Sequence, residues 1–166
     1  MIALRISALL SILFTGLIAG FFYAWVCSTM WGLDTLPPDA AIQAMNAMNI
    51  SVRNAVFFPT FFLTPIILFA SGLVALFLKV RGAGFAFIMA SAIYFFGAFA
   101  PTAIVNVPMN TALEAINVPA NIETAHEIWT DYSGRWQFWN QFRAVVSGIA
   151  LVVAGWGLLK IPNSTV

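Results

Sequence analysis

The segment FFPTFFLTPIILFASGLVALFLKVRGAGFAFIMASAIYFFGAFAPTAIV, residues 57–105, is the strongest indication of the fold of this chain. It consists of two long apolar runs, and its only charged residues are Lys79 and Arg81 at the junction between them. A helix needs about 20 apolar residues to cross the hydrocarbon core of a bilayer. Each run is long enough to do so, and the short junction predicts a tight helical hairpin.

Two more apolar stretches flank this hairpin. The candidate membrane spans are residues 6–31, 55–79, 84–105 and 138–160. With 61% hydrophobic and only 8% charged residues, and a mean hydropathy of +0.93, the 166-residue chain has too little polar surface for a soluble domain. We therefore predict an all-α fold: a single transmembrane domain over residues 1–166, built as a four-helix bundle with short extra helices in the two outer loops.

The outer loops are the long polar connections after the first and third spans. In the first, Pro37 and Pro38 precede a predicted helix, and the sequence leaves open whether that helix continues into the second span. In the second, we predict a separate short helix that starts near Asn121.

Charge placement predicts the orientation. Arg5, Lys79, Arg81 and Lys160 lie at the end that holds both termini and the hairpin, whereas all six acidic residues lie at the other end. Because Lys and Arg are retained on the cytoplasmic side, we expect a protein of the cell (inner) membrane with cytoplasmic termini and outward-facing long loops. The first apolar run continues without a clear cleavage site, so we expect it to be a retained span rather than a signal peptide.

Small residues and prolines within the spans predict how the helices pack. Gly16 and Gly20 form a G-x-x-x-G pattern that permits close helix contact; we expect this face to pack inside the bundle, with packing between subunits as the alternative. Pro59, Pro65 and Pro101 each remove a backbone donor from a span and are expected to bend their helices. Bent helices would leave room for a cavity.

Several polar residues lie at similar depth near the outer boundary, where an unpaired polar group in the membrane costs several kcal/mol of free energy. They are Asn46, Asn49 and Arg53 before the second span, Asn106 and Asn110 after the third, and Trp136, Asn140 and Arg143 in the fourth. Asparagines at helix ends also cross-link helices, and interfacial arginines also reach toward headgroups. If the three faces converge, they would instead form a donor-rich pocket for a phenolate, enolate, carboxylate or quinone oxygen.

His126 is the only histidine and is by default the candidate general base, although an exposed position near a helix end fits it equally well. Glu123 and His126 have the Glu-x-x-His spacing of carboxylate-bridged metal sites. If the protein binds iron or copper, we expect Glu123, His126 and Glu127 to be the ligands. A di-iron site of this kind needs a second histidine, and Cys27 is the single cysteine. The chemistry that we expect requires no cofactor.

Two short motifs carry a family resemblance. The first is Asn106-Val107-Pro108-Met109-Asn110, and the second is the W-x-x-x-N-x-x-R pattern from Trp136 to Arg143. With the length and the four spans, they resemble the small membrane proteins known as DUF1772, or anthrone oxygenase-like. The resemblance implies oxygenation of anthrones to anthraquinones, and it places the site on Asn106, Asn110, Trp136, Asn140 and Arg143.

The resulting functional prediction is a membrane-embedded oxygenase-like enzyme that acts on an apolar aromatic or quinone-type substrate at the outer face, through anion stabilisation. The predicted catalytic residues are His126, Arg143 and Asn140. The predicted substrate-binding residues are Arg53, Asn46, Asn49, Asn106, Asn110 and Trp136. His126 is assigned by its chemistry alone, not by the resemblance.

Other functional classes remain open from sequence. The main alternative is a non-catalytic accessory or assembly subunit of a larger membrane complex, and another is a lipid or quinone carrier. The expected partners are the lipid bilayer and an apolar aromatic small molecule, with a homo-oligomer left open. A net charge of +1 and the lack of any run of basic residues exclude nucleic-acid binding.

Overall fold

The computed structural model describes residues 1–162 and consists, over that range, of helices without any strand. We number the helices α1 (Ile2–Asp34), α2 (Pro38–Ser51), α3 (Phe57–Phe77), α4 (Arg81–Glu114) and α5 (Ile122–Leu159). Four of them, α1, α3, α4 and α5, are long and apolar enough to cross a membrane. The predicted four-helix membrane fold is therefore confirmed. The last four residues of the predicted domain, 163–166, lie outside the described residues.

We call the end of the bundle that the sequence predicts to face outward its outer end. The two long connections at this end differ in detail from the expectation. The predicted first helix is α2, which has Pro38 in its first turn. It does not continue into the second span, because the side-chain oxygen of Asn54 accepts bonds from the backbone N–H groups of Val56 and Phe57 and so starts α3 separately. Asn121 caps the second predicted helix, as expected. That helix is not separate, since it continues without a break through the fourth span as α5.

Three π-helical turns interrupt the membrane helices near their outer ends. They span Trp25–Thr29 in α1, and Phe95–Phe99 and Thr102–Asn106 in α4. Pro101 lies between the two turns of α4, where its missing N–H cannot donate to the preceding helical turn. By contrast, Pro65 lies inside α3, which remains an α-helix through Phe77. Such turns often occur beside functional sites because they redirect side chains.

Close helix contact occurs at other glycines than the predicted pair. A Cβ added at Gly72 would lie 2.6 Å from a side chain of α4, and one at Gly84 would lie 2.5 Å from a side chain of α3. One at Gly97 would overlap a valine of α5. At Gly16 and Gly20 an added Cβ would meet nothing within 4 Å. The expectation that the G-x-x-x-G face packs inside the bundle is therefore wrong, because that face of α1 points away from the other helices.

The apolar interior has two parts. One cluster fills the membrane bundle and includes Leu4, Leu68, Phe87 and Tyr94. The second lies beyond it, where α2 packs on the outer ends of α1, α4 and α5, and it includes Met45. The outer end of the bundle is thus closed by a packed cap rather than by loops. Functional groups at that end can be shielded from water without lying in the middle of the membrane.

Candidate functional site

A cavity of about 160 Å³ lies beneath this cap, at the outer end of the bundle. Its wall includes aromatic side chains, Phe21 and Phe22 from α1 and Phe57 and Phe61 from α3. It also includes the polar residues Asn49, Thr102, Asn106, Asn110, Asn140 and Arg143. The three predicted polar segments therefore do converge. A site with this composition suits an apolar aromatic molecule that carries a polar group.

Arg143 provides the charge in this wall. It is only 4% exposed; its Nη1 donates to Thr102 Oγ1 at 2.9 Å and its Nη2 donates to Asn140 Oδ1 at 3.1 Å. Its guanidinium carbon lies 4.6 Å from the ring centre of Phe22 and 5.5 Å from that of Trp136. Within residues 1–162, no carboxylate lies within 4.0 Å of this group. A buried cation without a counter-charge is costly, so an anion bound here would be strongly stabilised.

Asn140 fixes the orientation of this arginine. Its Nδ2 donates to the backbone carbonyl of Phe22 at 3.1 Å, which leaves its Oδ1 directed toward Arg143. Phe22 lies just before the π-helical turn Trp25–Thr29. The same turn brings Trp25 against Trp136, with ring centres 5.0 Å apart, beside the cavity. The contact between α1 and α5 therefore both positions Arg143 and closes one side of the site.

Asn110 is the centre of a second hydrogen-bond network. Its Oδ1 accepts from the Tyr132 hydroxyl at 2.9 Å and from Trp136 Nε1 at 3.0 Å, while its Nδ2 donates to Asn49 Oδ1 at 3.0 Å. This network joins α2, α4 and α5. Because both side-chain polar atoms of Asn110 are bonded within the protein, its main effect is to hold Asn49 and Trp136 at the cavity wall.

Several buried polar atoms of the cavity wall have no protein partner in the described part of the chain. They are both side-chain polar atoms of Asn106, Nδ2 of Asn49 and Nε of Arg143. Asn106 is only 1% exposed. Buried polar groups are normally hydrogen-bonded, so such a concentration around one cavity indicates a site for a polar ligand group. All three residues line the cavity, and the unpartnered atoms are three donors and one acceptor, Asn106 Oδ1.

Two predicted substrate-binding residues lie at the edge of the site or outside it. Arg53 lines the cavity but is exposed, with 47% of its side chain accessible, and it pairs with Glu114 at 2.9 Å. An exposed pair of this kind contributes little to stability. Asn46 is not part of the cavity wall, and its Nδ2 faces the carbonyl of Leu113 at 3.5 Å. We therefore place Arg53 at the mouth of the cavity and Asn46 among the residues that pack behind the cavity wall.

The structure does not bring His126 to the cavity. His126, Glu123 and Glu127 are exposed on the first turns of α5, and about 15 Å of helix rise separates His126 from Trp136. Among the residues that the structure describes, no group of three or more His, Cys, Asp or Glu side chains is placed to hold a metal ion. The predicted roles of these three residues as base or as metal ligands remain predictions without support from this geometry.

The residues of the cavity wall lie mostly within a segment that matches a known family. The family model for anthrone oxygenase matches residues 50–153, which is more than half of the chain. This chain belongs to the anthrone oxygenase family. Neither the curated proteins nor the solved structures gave a match. The resemblance drawn from the two short motifs is therefore confirmed, and the matched range contains Asn106, Asn140 and Arg143.

This anthrone oxygenase family member also uses residues that the sequence motifs did not reveal. Thr102 lies four residues before Asn106, so extending the polar stripe of the third span by one turn would have found it. Phe22 contributes a backbone carbonyl and a ring face, for which its identity gives no polar signal. Asp34 was also missed: it accepts hydrogen bonds from Trp129 and Ser133 and so ties the end of α1 to α5.

Proposed function

We propose that this protein is a membrane-embedded oxygenase that binds the anion of an apolar aromatic or quinone-type substrate in the cavity at the outer end of the bundle. The observation that carries the proposal is the position of Arg143. Its guanidinium is buried in an aromatic-lined cavity and has no carboxylate partner among the described residues. Membership of the anthrone oxygenase family supports the oxygenase class. The charge pattern of the sequence supports an outward-facing site.

Anion stabilisation is the main catalytic contribution in this proposal. Arg143 is held in place by Thr102 and Asn140, so its positive charge does not have to reorganise when a substrate loses a proton. Asn106 and Asn49 line the same cavity and each carry a buried amide donor without a partner in the described residues. Fixed donors in a largely enclosed cavity stabilise developing negative charge much more strongly than water does. Asn140 is therefore a positioning residue, and Arg143 is the catalytic one.

The reaction needs no electron donor besides the substrate. Loss of a proton gives an electron-rich anion, which passes one electron to dioxygen; the resulting radical and superoxide then combine to form a carbon–oxygen bond. Protonation gives a hydroperoxide. Where that carbon carries a second hydrogen, as in an anthrone, the hydroperoxide loses water and leaves a carbonyl. One dioxygen is consumed, one oxygen atom enters the product and the other leaves as water.

Water at the mouth is the proton acceptor in this proposal. The described residues of the cavity wall include no histidine, aspartate or glutamate. Arg143 makes the proton easier to lose by stabilising the anion that remains, so a strong protein base is not needed. The open side near Arg53 gives water a route to the substrate.

The test is oxygen uptake by protein in lipid nanodiscs, with anthrone and 4-dodecylphenol offered separately and the products identified by mass spectrometry. Arg143→Met removes the charge and keeps an unbranched side chain; because it leaves Asn140 Oδ1 without its donor, the folding of the variant is checked by its thermal unfolding midpoint. We expect oxygen uptake to fall by about 100-fold or more. Arg135→Met, on the exposed surface of the same helix, should retain wild-type activity. Full activity in folded Arg143→Met would refute the proposal.

A further inference from the structure

The cavity next to Arg143 is small for an enclosed substrate site. Its volume of about 160 Å³ is close to that of the engineered apolar cavity of about 150 Å³ that holds one benzene molecule. A fused three-ring molecule is much larger than benzene. The enclosed part of the site therefore accommodates one aromatic ring, and the rest of a larger substrate has to lie elsewhere.

A larger groove adjoins the cavity on the side that faces lipid. It has a volume of about 440 Å³ and lies between α1, the end of α2 and the start of α3. Its walls include Leu17, Met48 and Thr60, and Leu17 is more than half exposed on the membrane-facing surface of α1. The groove is mostly apolar, so it suits a hydrocarbon chain rather than a charged group.

The cavity and the groove share part of their walls. Phe21, Trp25, Val52 and Phe57 line both. The rings of Phe21 and Phe57 are in contact, with their centres 4.8 Å apart, and they stand between the two spaces. Both side chains are half-buried at the edge of the bundle core, so this pair of rings is the partition that a slender chain has to pass. A rigid fused ring system would require a wider opening.

We propose that the substrate has a single aromatic ring with an ionisable oxygen, carried on a flexible apolar chain, and that the chain lies in the groove between α1 and α3. The ring occupies the cavity, where its oxygen meets Arg143 and Asn106. The molecule enters sideways from the bilayer, passing Phe21 and Phe57. This inference rests on the proposed function for the placement of the oxygen at Arg143, but not for the position of the chain.

The experiment is photolabelling under anaerobic conditions, so that binding is observed without turnover. The probe is 4-dodecylphenol with a diazirine at the end of its chain, added to the protein in nanodiscs, and the labelled residues are found by mass spectrometry. We expect labels within residues 17–25 and 48–60. Excess unlabelled 4-dodecylphenol should reduce them by about tenfold or more, as mass action requires at a saturable site.

Matched variants separate the groove from the general lipid surface. Leu17→Trp fills the groove, whereas Leu9→Trp makes the same change at an exposed position of α1 outside it. We expect Leu17→Trp to remove the specific labels and Leu9→Trp to keep them. If Leu17→Trp does not fold, Thr60→Phe narrows the groove from α3 and should have the same effect.

Two results would overturn the inference. One is labelling spread over lipid-facing residues of α4 and α5 without competition. The other is equal competition by anthrone and 4-dodecylphenol, because a fused three-ring molecule would then fit the cavity. The proposed function fails separately. Specific groove labels without oxygen uptake would refute the oxygenase function but support the binding site. Oxygen uptake without groove labels would support the oxygenase function and refute the chain-binding groove.

Discussion

At the scale of single residues, the site depends on how one guanidinium is held. The spacing of Trp136, Asn140 and Arg143 in the sequence is sufficient to place them on one face of a helix. The sequence does not show that Thr102 and the Phe22 carbonyl are their partners, because these contacts join distant segments and depend on π-helical turns. Residue identity was therefore predictable, but the hydrogen-bond network was not.

Asn140→Asp tests the role of the unpaired charge at Arg143. The change adds a carboxylate next to the guanidinium and thereby supplies the counter-charge that the wild-type site lacks within the described residues. We expect the KM for an anionic substrate to rise by about tenfold or more. The change also removes the donor to the Phe22 carbonyl, so Asn140→Ala, which loses that donor without adding a charge, is the matched control. The measurement is oxygen uptake over a range of substrate concentrations. An unchanged KM would show that Arg143 does not bind the anion.

His126→Ala tests the residue that sequence chemistry favoured as a general base. Because His126 is exposed and far along α5 from the cavity, we expect both the rate and its pH dependence to match the wild type. The rate should rise with pH in both proteins, following ionisation of the substrate itself. A loss of activity of about 100-fold, which is typical of removing a general base, would show that His126 does act as the base.

At the scale of the helices, the type and number of membrane spans were predicted correctly because long apolar runs have few alternative structures. The packing faces were harder to predict. The G-x-x-x-G spacing at Gly16 and Gly20 does not reveal which neighbour a helix has, and the actual close contacts occur at Gly72, Gly84 and Gly97. The three π-helical turns also left no clear signal, except for Pro101 between two of them.

Gly97→Ala tests the close contact between α4 and α5. The added methyl group would overlap Val146 in the helix that carries Arg143, and overpacking of this kind typically costs about 1–3 kcal/mol. We expect a lower thermal unfolding midpoint in detergent. Gly20→Ala is the matched control, since its methyl group would meet no neighbouring helix. Equal midpoints for the two variants would contradict the packing described here.

At the scale of the whole molecule, the bundle has two chemically different ends. The end with the hairpin and residue 162 is basic, and Arg5 Nη2 donates there to the carbonyl of Pro162 at 2.8 Å. The opposite end carries the acidic residues, the apolar cap and the cavity. The charge pattern predicts which end faces outward, whereas the cap depends on long-range packing of α2 and could not be read from the sequence.

Cysteine accessibility tests this orientation. In a Cys27→Ser background, Glu127→Cys places a thiol at the acidic end and Arg81→Cys places one at the hairpin. We expect a membrane-impermeant maleimide to label the first variant in intact cells and the second only after the membrane is permeabilised. The reverse pattern would place the site on the cytoplasmic side.

Stabilisation of a bound anion by Arg143 can be measured without turnover, by an anaerobic absorption titration of 4-dodecylphenol in nanodiscs that contain the protein. The phenolate absorption should reach its midpoint at least one pH unit lower with wild-type protein than with Arg143→Met, which corresponds to about 1.4 kcal/mol of preferential stabilisation of the anion. Arg135→Met should behave as the wild type. Identical midpoints for wild type and Arg143→Met, with both folded and both binding the phenol, would contradict this role of Arg143.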